Sequence, residues 1–562
     1  MNLTRILIVI VILGCTRSVY SQQPVTTISR GGGDSTKVVN IIHADRLGFS
    51  KKDTANIVQY GAGNVAAQQN NTLFYSDSAV LNQQTKVFQA YGHVHINDAD
   101  STHIYGDYMR YHFDTKLAYM QKNVTLTDGK STLTTNDLEY DLNTKIGVYK
   151  NGGKVVNGSS VLTSKEGVYY DDLKDVFFRK NVVLIDPKYK LYADSLLYNT
   201  QTELATFIGP TRIIDSANRE IITSEGFYDM KNRVAQFGKR PKIKDGKTIL
   251  IADNIYADDA SGKRTAEGRA VYIDSTEGIS IMANLLVDDR VNNIVLATKD
   301  PLMIIKQDAD SIYVTADTIL SGILDKNDSN SVIRPDTATS RNGIAKTDST
   351  KKLNSGTDTL KGKIVATNPA DSNSTRYMKA FHHVRIFSDS LQAVSDSLYY
   401  SGLDSVFRLF TDPVVWNGNS QITGDTIYLF TKNKKPERMY VFENGMMVNK
   451  TGPNQYNQIK GNTINGYFLD GEIDYMRARG SAESIYYVQD EDSAYVGVNR
   501  STADIIDMRF QKRELNKVVF INDVKGTTTP FRQVNFDQMR LRNFKWLDNR
   551  RPKTKFELFA SQ

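Results

Sequence analysis

The sequence predicts an all-β protein, a stack of short antiparallel strands repeating about every 29–30 residues. Three observations carry that expectation. First, a carboxylate or amide closing a short alternating strand recurs at Asp98, Asp128, Asn157, Asp186, Asp215, Asp245 and Asp274, with successive gaps of 30, 29, 29, 29, 30 and 29 residues. Second, the strands ahead of these positions alternate apolar and polar residues, as in Val94, Ile96 and Asp98 or Val124, Leu126 and Asp128. That is the period-two pattern of a half-buried strand, and no window of about 11 residues in this region has helical periodicity. Third, an acidic or polar residue stands four before an aromatic at Asp107/Tyr111, Asn136/Tyr140, Glu166/Tyr170 and Asp194/Tyr198. A fixed period of this size marks a stacked array whose units contact mainly their neighbours. Such a protein works through a long continuous surface rather than one catalytic pocket.

The elements follow in chain order. Met1 to Arg5 is a short positive region, and Ile6 to Gly14 is an apolar run. The run is too short to span a bilayer and has the shape of a secretory signal over residues 1–21. Val19 and Ser21 suit the −3 and −1 positions of a signal-peptidase site, whereas Ile12 to Cys15 resembles a bacterial lipobox. Cleavage after Ser21 and lipidation of Cys15 both stay open, and either exports the chain. Residues 22–37 form a polar, Gly-rich leader. Residues 38–320 carry the first array. A typical unit runs from Ile104 through a turn at Asp114, Thr115 and Lys116 into a strand from Leu117 towards Asp128. Asp128-Gly129, Asn157-Gly158 and Asp245-Gly246 are tight-turn signals. Residues 321–375 are rich in Ser, Thr, Asp, Asn and Lys, too polar to offset their ordering entropy, and read as a flexible insertion dividing the array into two segments. The pattern resumes over 376–525, where Ser388 and Asn417 stand 29 apart and Asp396/Tyr400 restores the acid–aromatic pair. Residues 526–562 are basic and aromatic, a terminal cap or a docking strip.

Composition narrows the function. The chain is 40% hydrophobic and 10% aromatic, which suits a β-rich core and not a disordered chain. The net charge of +7, from 70 basic and 63 acidic residues, reads as a mixed, solvated surface, with an anionic partner such as a phosphorylated lipid as the less direct alternative. Nucleic acid is not expected, because no strongly basic run coincides with an aromatic platform. The single cysteine, Cys15, lies in the leader, so no disulfide is expected in the body.

Chemistry-bearing residues read mainly as structure. His93 and His95 fall on one strand face, pointing outward, with His103 and His112 nearby in sequence. Without a second ligand type at metal spacing, no metal or other cofactor is expected. His382 and His383 point to opposite faces of their strand. The recurrent carboxylates invite comparison with the paired acids of a glycosidase, but Asp and Asn favour strand-end turns because their side chains bond the nearby backbone. Turn chemistry explains all seven positions, and no nucleophile-elbow, phosphate-loop or zinc-protease motif is present, so the chain is not expected to be an enzyme. Most of the recurring Tyr and Phe read as stacks between rungs, and a minority could line a groove for acyl chains.

The unit of Ala or Gly, Asp, apolar residues and Tyr, a D-x-x-T-K-type turn and a V-x-[IL]-x-D strand resembles the OstA-like, LptA-type lipopolysaccharide-transport family. Here it stands as Ala193, Asp194 and Tyr198 with Ile213 and Asp215, and as Ala252, Asp253 and Tyr256 with Tyr272 and Asp274. The resemblance covers residues 41–320 and, more loosely, 376–525, and is greatest to the long OstA-like proteins of Bacteroidetes-type bacteria. It implies a V-shaped β-jellyroll with an apolar interior, located in the periplasm, that binds the lipid A part of lipopolysaccharide. It further implies edge-strand pairing with inner-membrane exporter and outer-membrane translocon components, or end to end with further copies. Under that resemblance the inward residues Val94, Ile96, Val124, Leu126, Val182, Leu184 and Ile213 are candidate lipid contacts. Plain core packing is the alternative for each. The chain is longer than the minimal bridge protein of that family and lacks room for a C-terminal barrel. The competing function is a structural or adhesive β-repeat protein of the cell envelope.

Overall fold

The structure is a computed structural model describing residues 38–51, 57–98, 102–306, 311–324, 375–432, 435–511 and 514–559. The expected signal segment, the leader and most of the expected insertion lie outside the described residues. Strands run from Asn40 to Pro530, and every pairing between them is antiparallel. The fold is the all-β stack that the period predicts. The seven turn residues sit at strand ends: Asp98, Asn157, Asp186, Asp215, Asp245 and Asp274 each close a strand, and Asp128 follows one that ends at Thr127. Four of the carboxylates accept backbone N–H groups across the turn: Asp128 from Lys130 (2.9 Å) and Ser131 (2.8 Å), Asp186 from Lys188, Asp215 from Ala217 and Asp274 from Thr276.

Each rung is bent in the middle. In strand Val87–Asp98 the pairing slips between Tyr91 and Val94, where Gly92 (φ 73°) and His93 (φ 41°) take left-handed backbone. Similar slips occur between Gln121 and Val124, Arg179 and Val182, and Phe381 and Val384. Such bulges add a residue to one strand and kink it. A carboxylate on the preceding strand ties each kink: Asp77 meets His93 at 2.8 Å, and Asp107 accepts from Asn123 at 2.7 Å. At Gly92 a Cβ would stand 2.3 Å from the Asp77 carboxylate, which would have to swing aside; at the corresponding kinks Lys122 (φ 64°) and Lys180 (φ 62°) take the same left-handed backbone. Beyond the kinks the strand halves pair into two separate layers, or wings. In Ser131–Asp141, for example, the first half pairs with Gly153–Asn157 and the last residues with Ile146–Tyr149.

The kink corrects two readings based on strict alternation. His93 and His95 do not share a face: His93 projects from the corner, while His95 lies on the flat of a wing beyond the slip. His382 and His383 both occupy one kink, with φ of 60° and 52°, and reach Asp396 (3.2 Å) and Asp317 (3.0 Å) instead of opposite strand faces. The acid–aromatic series also shifts once. Tyr111, Tyr140 and Tyr198 are buried, but in the third unit the buried ring is Tyr169, and Tyr170 is only half-buried.

The two sequence segments form one wall. Strand Thr318–Leu324 pairs with Thr375–Phe387 from Thr318↔Phe381 to Leu324↔Thr375, so the described strands on either side of the interval are hydrogen-bonded neighbours. Residues 531–559 then double back as a strap over the outer face of one wing. Three glutamines hold it. Gln458 donates to the Met539 carbonyl (2.9 Å) and accepts from Leu541 N–H (2.8 Å), Gln421 does the same for Lys545 (2.9 Å) and Leu547 (2.7 Å), and Gln392 accepts from the Arg551 guanidinium. Cross-strand register places them on one row, Gln392–Trp416–Gln421–Val448–Gln458, alternating with apolar residues. The strap seals two satellite cores, one around Tyr456, Ile485, Tyr487 and Leu541 and one around Val394, Val414 and Trp416.

Candidate functional site: the interior and its seam

The space between the wings is a single apolar cluster running from Val39 to Phe510. All seven residues expected to face inward lie in it: Val94, Ile96, Val124, Leu126, Val182, Leu184 and Ile213 are at most 7% exposed. They are brought together as successive rungs of one wing, and Tyr111, Tyr140, Phe178 and Tyr198 face them from the other. Their side chains fill the interior. Near the far segment a cavity of about 40 Å³ is lined by Ile312, Ile386, Leu391, Phe407 and Leu409, little more than one water's share of liquid volume.

Opposite the kinked corner the wing edges meet along a polar seam that sequence reasoning missed. Gln69 donates to the Phe113 carbonyl (2.9 Å) and accepts from the Tyr111 hydroxyl. Thr102 donates to Asp171 across the mouth. Lys130 reaches the Gln201 carbonyl (3.1 Å), and Asn157 donates to Tyr198 Oη (3.0 Å) and the Thr200 carbonyl (2.9 Å). Farther along, Arg264 pairs with Asp245 (3.0 Å) and Asp288 (3.4 Å), and Arg376 with Asp274 (2.8 Å) and Tyr272 Oη (3.2 Å). Partners in the seam are 19 to 104 residues apart in sequence, beyond the reach of any local pattern. The only trace is a buried role for some turn residues: Asp98, Asn157, Asp171 and Asp274 are all at most 7% exposed.

The seam's electrostatics follow from burial and partners. Burial alone would raise the Asp171 carboxyl, but the Lys174 ammonium at 2.5 Å and the Thr102 and Tyr169 hydroxyls outweigh it and hold it below its usual range. Asp288 behaves oppositely. Its burial dominates over the Arg264 guanidinium, and its pKa is raised. A raised folded-state pKa contributes stability that is full below the unfolded value near 3.9 and lost as pH rises through the folded value. Asp288→Asn is therefore expected to be neutral or stabilising at pH 7 and relatively worse at pH 4, because Arg264 keeps Asp245. Arg264→Ala, which strands a buried carboxylate, is expected to cost about 3–5 kcal/mol at pH 7. Urea unfolding at both pH values tests the pair. A larger loss in Asp288→Asn at pH 7 than at pH 4 would contradict the assignment.

Among the described residues, no group of three or more His, Cys, Asp or Glu side chains could hold a metal ion, and no helix is long and apolar enough to cross a membrane. Two imidazoles do converge. On the outer face of the first wing, His95 Nε2 lies 3.1 Å from His103 Nδ1, and His95 stacks on Tyr105 (4.4 Å between centroids, 11°) and Tyr75 (5.6 Å, 21°). Burial first, and His103 second, hold the His95 pKa below its ordinary value. No curated protein matches the chain. Residues 36–194 and 180–253 match the family described as OstA-like protein, a stretch that contains six of the seven recurrent turn residues and all seven inward candidates. The match makes residues 36–253 similar to the OstA-like family, and the all-β stack continues beyond them through the rest of the strands.

Proposed function

We propose that the protein is a periplasmic carrier or bridge for lipopolysaccharide, holding lipid A acyl chains between the two wings. The observation that carries this reading is the uninterrupted apolar interior from Val39 to Phe510, in a chain whose residues 36–253 match the OstA-like family. A continuous greasy path lets an acyl chain move from rung to rung without meeting water, so that no rung presents a large barrier. Val94, Ile96, Val124, Leu126, Val182, Leu184 and Ile213 are the proposed contacts. The terminal rungs supply docking edges for the exporter and translocon sides, or for another copy. At the N-terminal end Ile42, Leu47 and Phe49 are 56%, 52% and 63% exposed on strands that, among the described residues, pair on one edge only, a surface suited to β-augmentation. No covalent step is assigned to the chain.

A specific observation favours the second reading, a structural envelope protein. The interior is filled and the seam is closed, so a lipid must part the wings before it touches Leu126 or Leu184. Photo-crosslinkers at these two positions decide between the readings in cells. The carrier predicts lipopolysaccharide adducts at both and none at exposed Thr134. Adduct yields at Leu126 and Leu184 no higher than at Thr134 would leave the structural reading.

A further inference from the structure

We infer that His95 and His103 form a surface site for one transition-metal ion of the zinc, copper or nickel class. This does not depend on the lipid-carrier reading. Four other histidines each stand beside an aspartate: His43 with Asp45 (3.7 Å), His93 with Asp77 (2.8 Å), His382 with Asp396 (3.2 Å) and His383 with Asp317 (3.0 Å). His95 and His103 instead find each other, ring nitrogen to ring nitrogen at 3.1 Å. Two nitrogens bound at about 2.05 Å lie about 2.9 Å apart on a square-planar ion and about 3.3 Å apart on a tetrahedral one. The observed separation falls between these values.

Their orientation is fixed by packing. His95 is stacked between Tyr75 and Tyr105, and His103 is nearly parallel to Tyr105 (20°), so the rings stand side by side with their nitrogen-bearing edges together. The register explains it: His95 opposes Tyr75 and Tyr105 directly, and His103 opposes Asn97 and Thr127 one row nearer the seam. Both imidazoles are half-buried on a rigid sheet. A ligand pair locked by its neighbours loses little entropy on binding. Edge-on rings cannot offer a flat face to a sugar, which argues against a carbohydrate platform at the same spot. In the free protein one of the two contacting nitrogens carries the shared proton. The ion sits off the line between the two nitrogens, each ring turning to aim a lone pair at it, and that proton moves to the ring's other nitrogen. Imidazole donors suit zinc, copper and nickel rather than magnesium or calcium. Two protein ligands leave positions open for water or another oxygen donor.

The test uses the purified, tag-free chain and Zn²⁺ alone, competed with a chromogenic chelator. The expectation is one ion per chain whose affinity falls about tenfold or more in His95→Ala and in His103→Ala, with His93→Ala unchanged. A measurement on the unaltered chain guards against misfolded variants: Zn²⁺ should protect His95 and His103 from acylation by diethyl pyrocarbonate, read by mass spectrometry, and leave His93 reactive. Equal Zn²⁺ binding by the wild type and the double variant, or acylation of His95 and His103 unchanged by Zn²⁺, overturns the site and leaves a plain hydrogen bond.

Discussion

Deleting residues 531–562 is expected to destabilise the C-terminal third of the array selectively, by on the order of 5 kcal/mol or more. The strap covers Trp416, Ile485, Tyr487 and Val498, each at most 2% exposed, and contributes the buried Leu541. Returning a buried apolar side chain to water costs roughly 1.5–3 kcal/mol, so even partial exposure of five such groups reaches that range. Gln392, Gln421 and Gln458 lose their strap partners at the same time. Because rungs contact mainly their neighbours, the damage should stay local. Amide hydrogen exchange should accelerate in Ser420–Thr423, Lys435–Lys450 and Tyr456–Leu469 and stay slow in Val87–Asp98. The truncated chain should also bind a hydrophobic dye. Unchanged exchange in all three strands would mean that the strap is an ornament of the fold.

The strap and the seam show where sequence reading stops. Turn positions such as Asp186 and Asp215 were legible because turn chemistry is local and the period repeats it. The inward set was legible for the same reason, since Val124, Leu126 and their counterparts alternate within one half-strand. Alternation fails at the kink, and so His93 and His95 could not be placed by counting. The signal available was a recurring polar pair ahead of the valine, Gly92-His93 before Val94, Lys122-Asn123 before Val124 and Lys180-Asn181 before Val182, rich in residues that tolerate left-handed backbone. The strap's glutamines carried no such mark, because Gln458 and Met539 meet across 81 residues and only folding juxtaposes them. The His95–His103 pair lies between: its members are eight residues apart, yet their convergence depends on the hairpin register.

Arg376→Met should be as damaging as any single change at the seam, costing about 3–5 kcal/mol. The guanidinium leaves one wing and meets Asp274 and Tyr272 on the other, with side-chain exposures of 10% for Arg376 and 7% for Asp274. Methionine matches the stem but strands a buried carboxylate and a phenol whose pKa burial already pushes up to about 12. Removing one member of a buried pair costs more than replacing both. The double variant Arg376→Met/Asp274→Leu should therefore recover part of the loss, and the urea midpoints of the four proteins give the coupling. Arg376→Lys should rescue poorly, since one ammonium cannot reproduce the two-partner fork. This residue also joins stability to function. If acyl chains reach the interior by parting the wings, a weakened seam favours the open state, and crosslinking of lipopolysaccharide at Leu184 should rise in Arg376→Met at a temperature where the variant is still folded. If the interior is only a core, the same substitution should loosen the seam, read as faster exchange in Lys263–Asp274, without changing any lipid adduct.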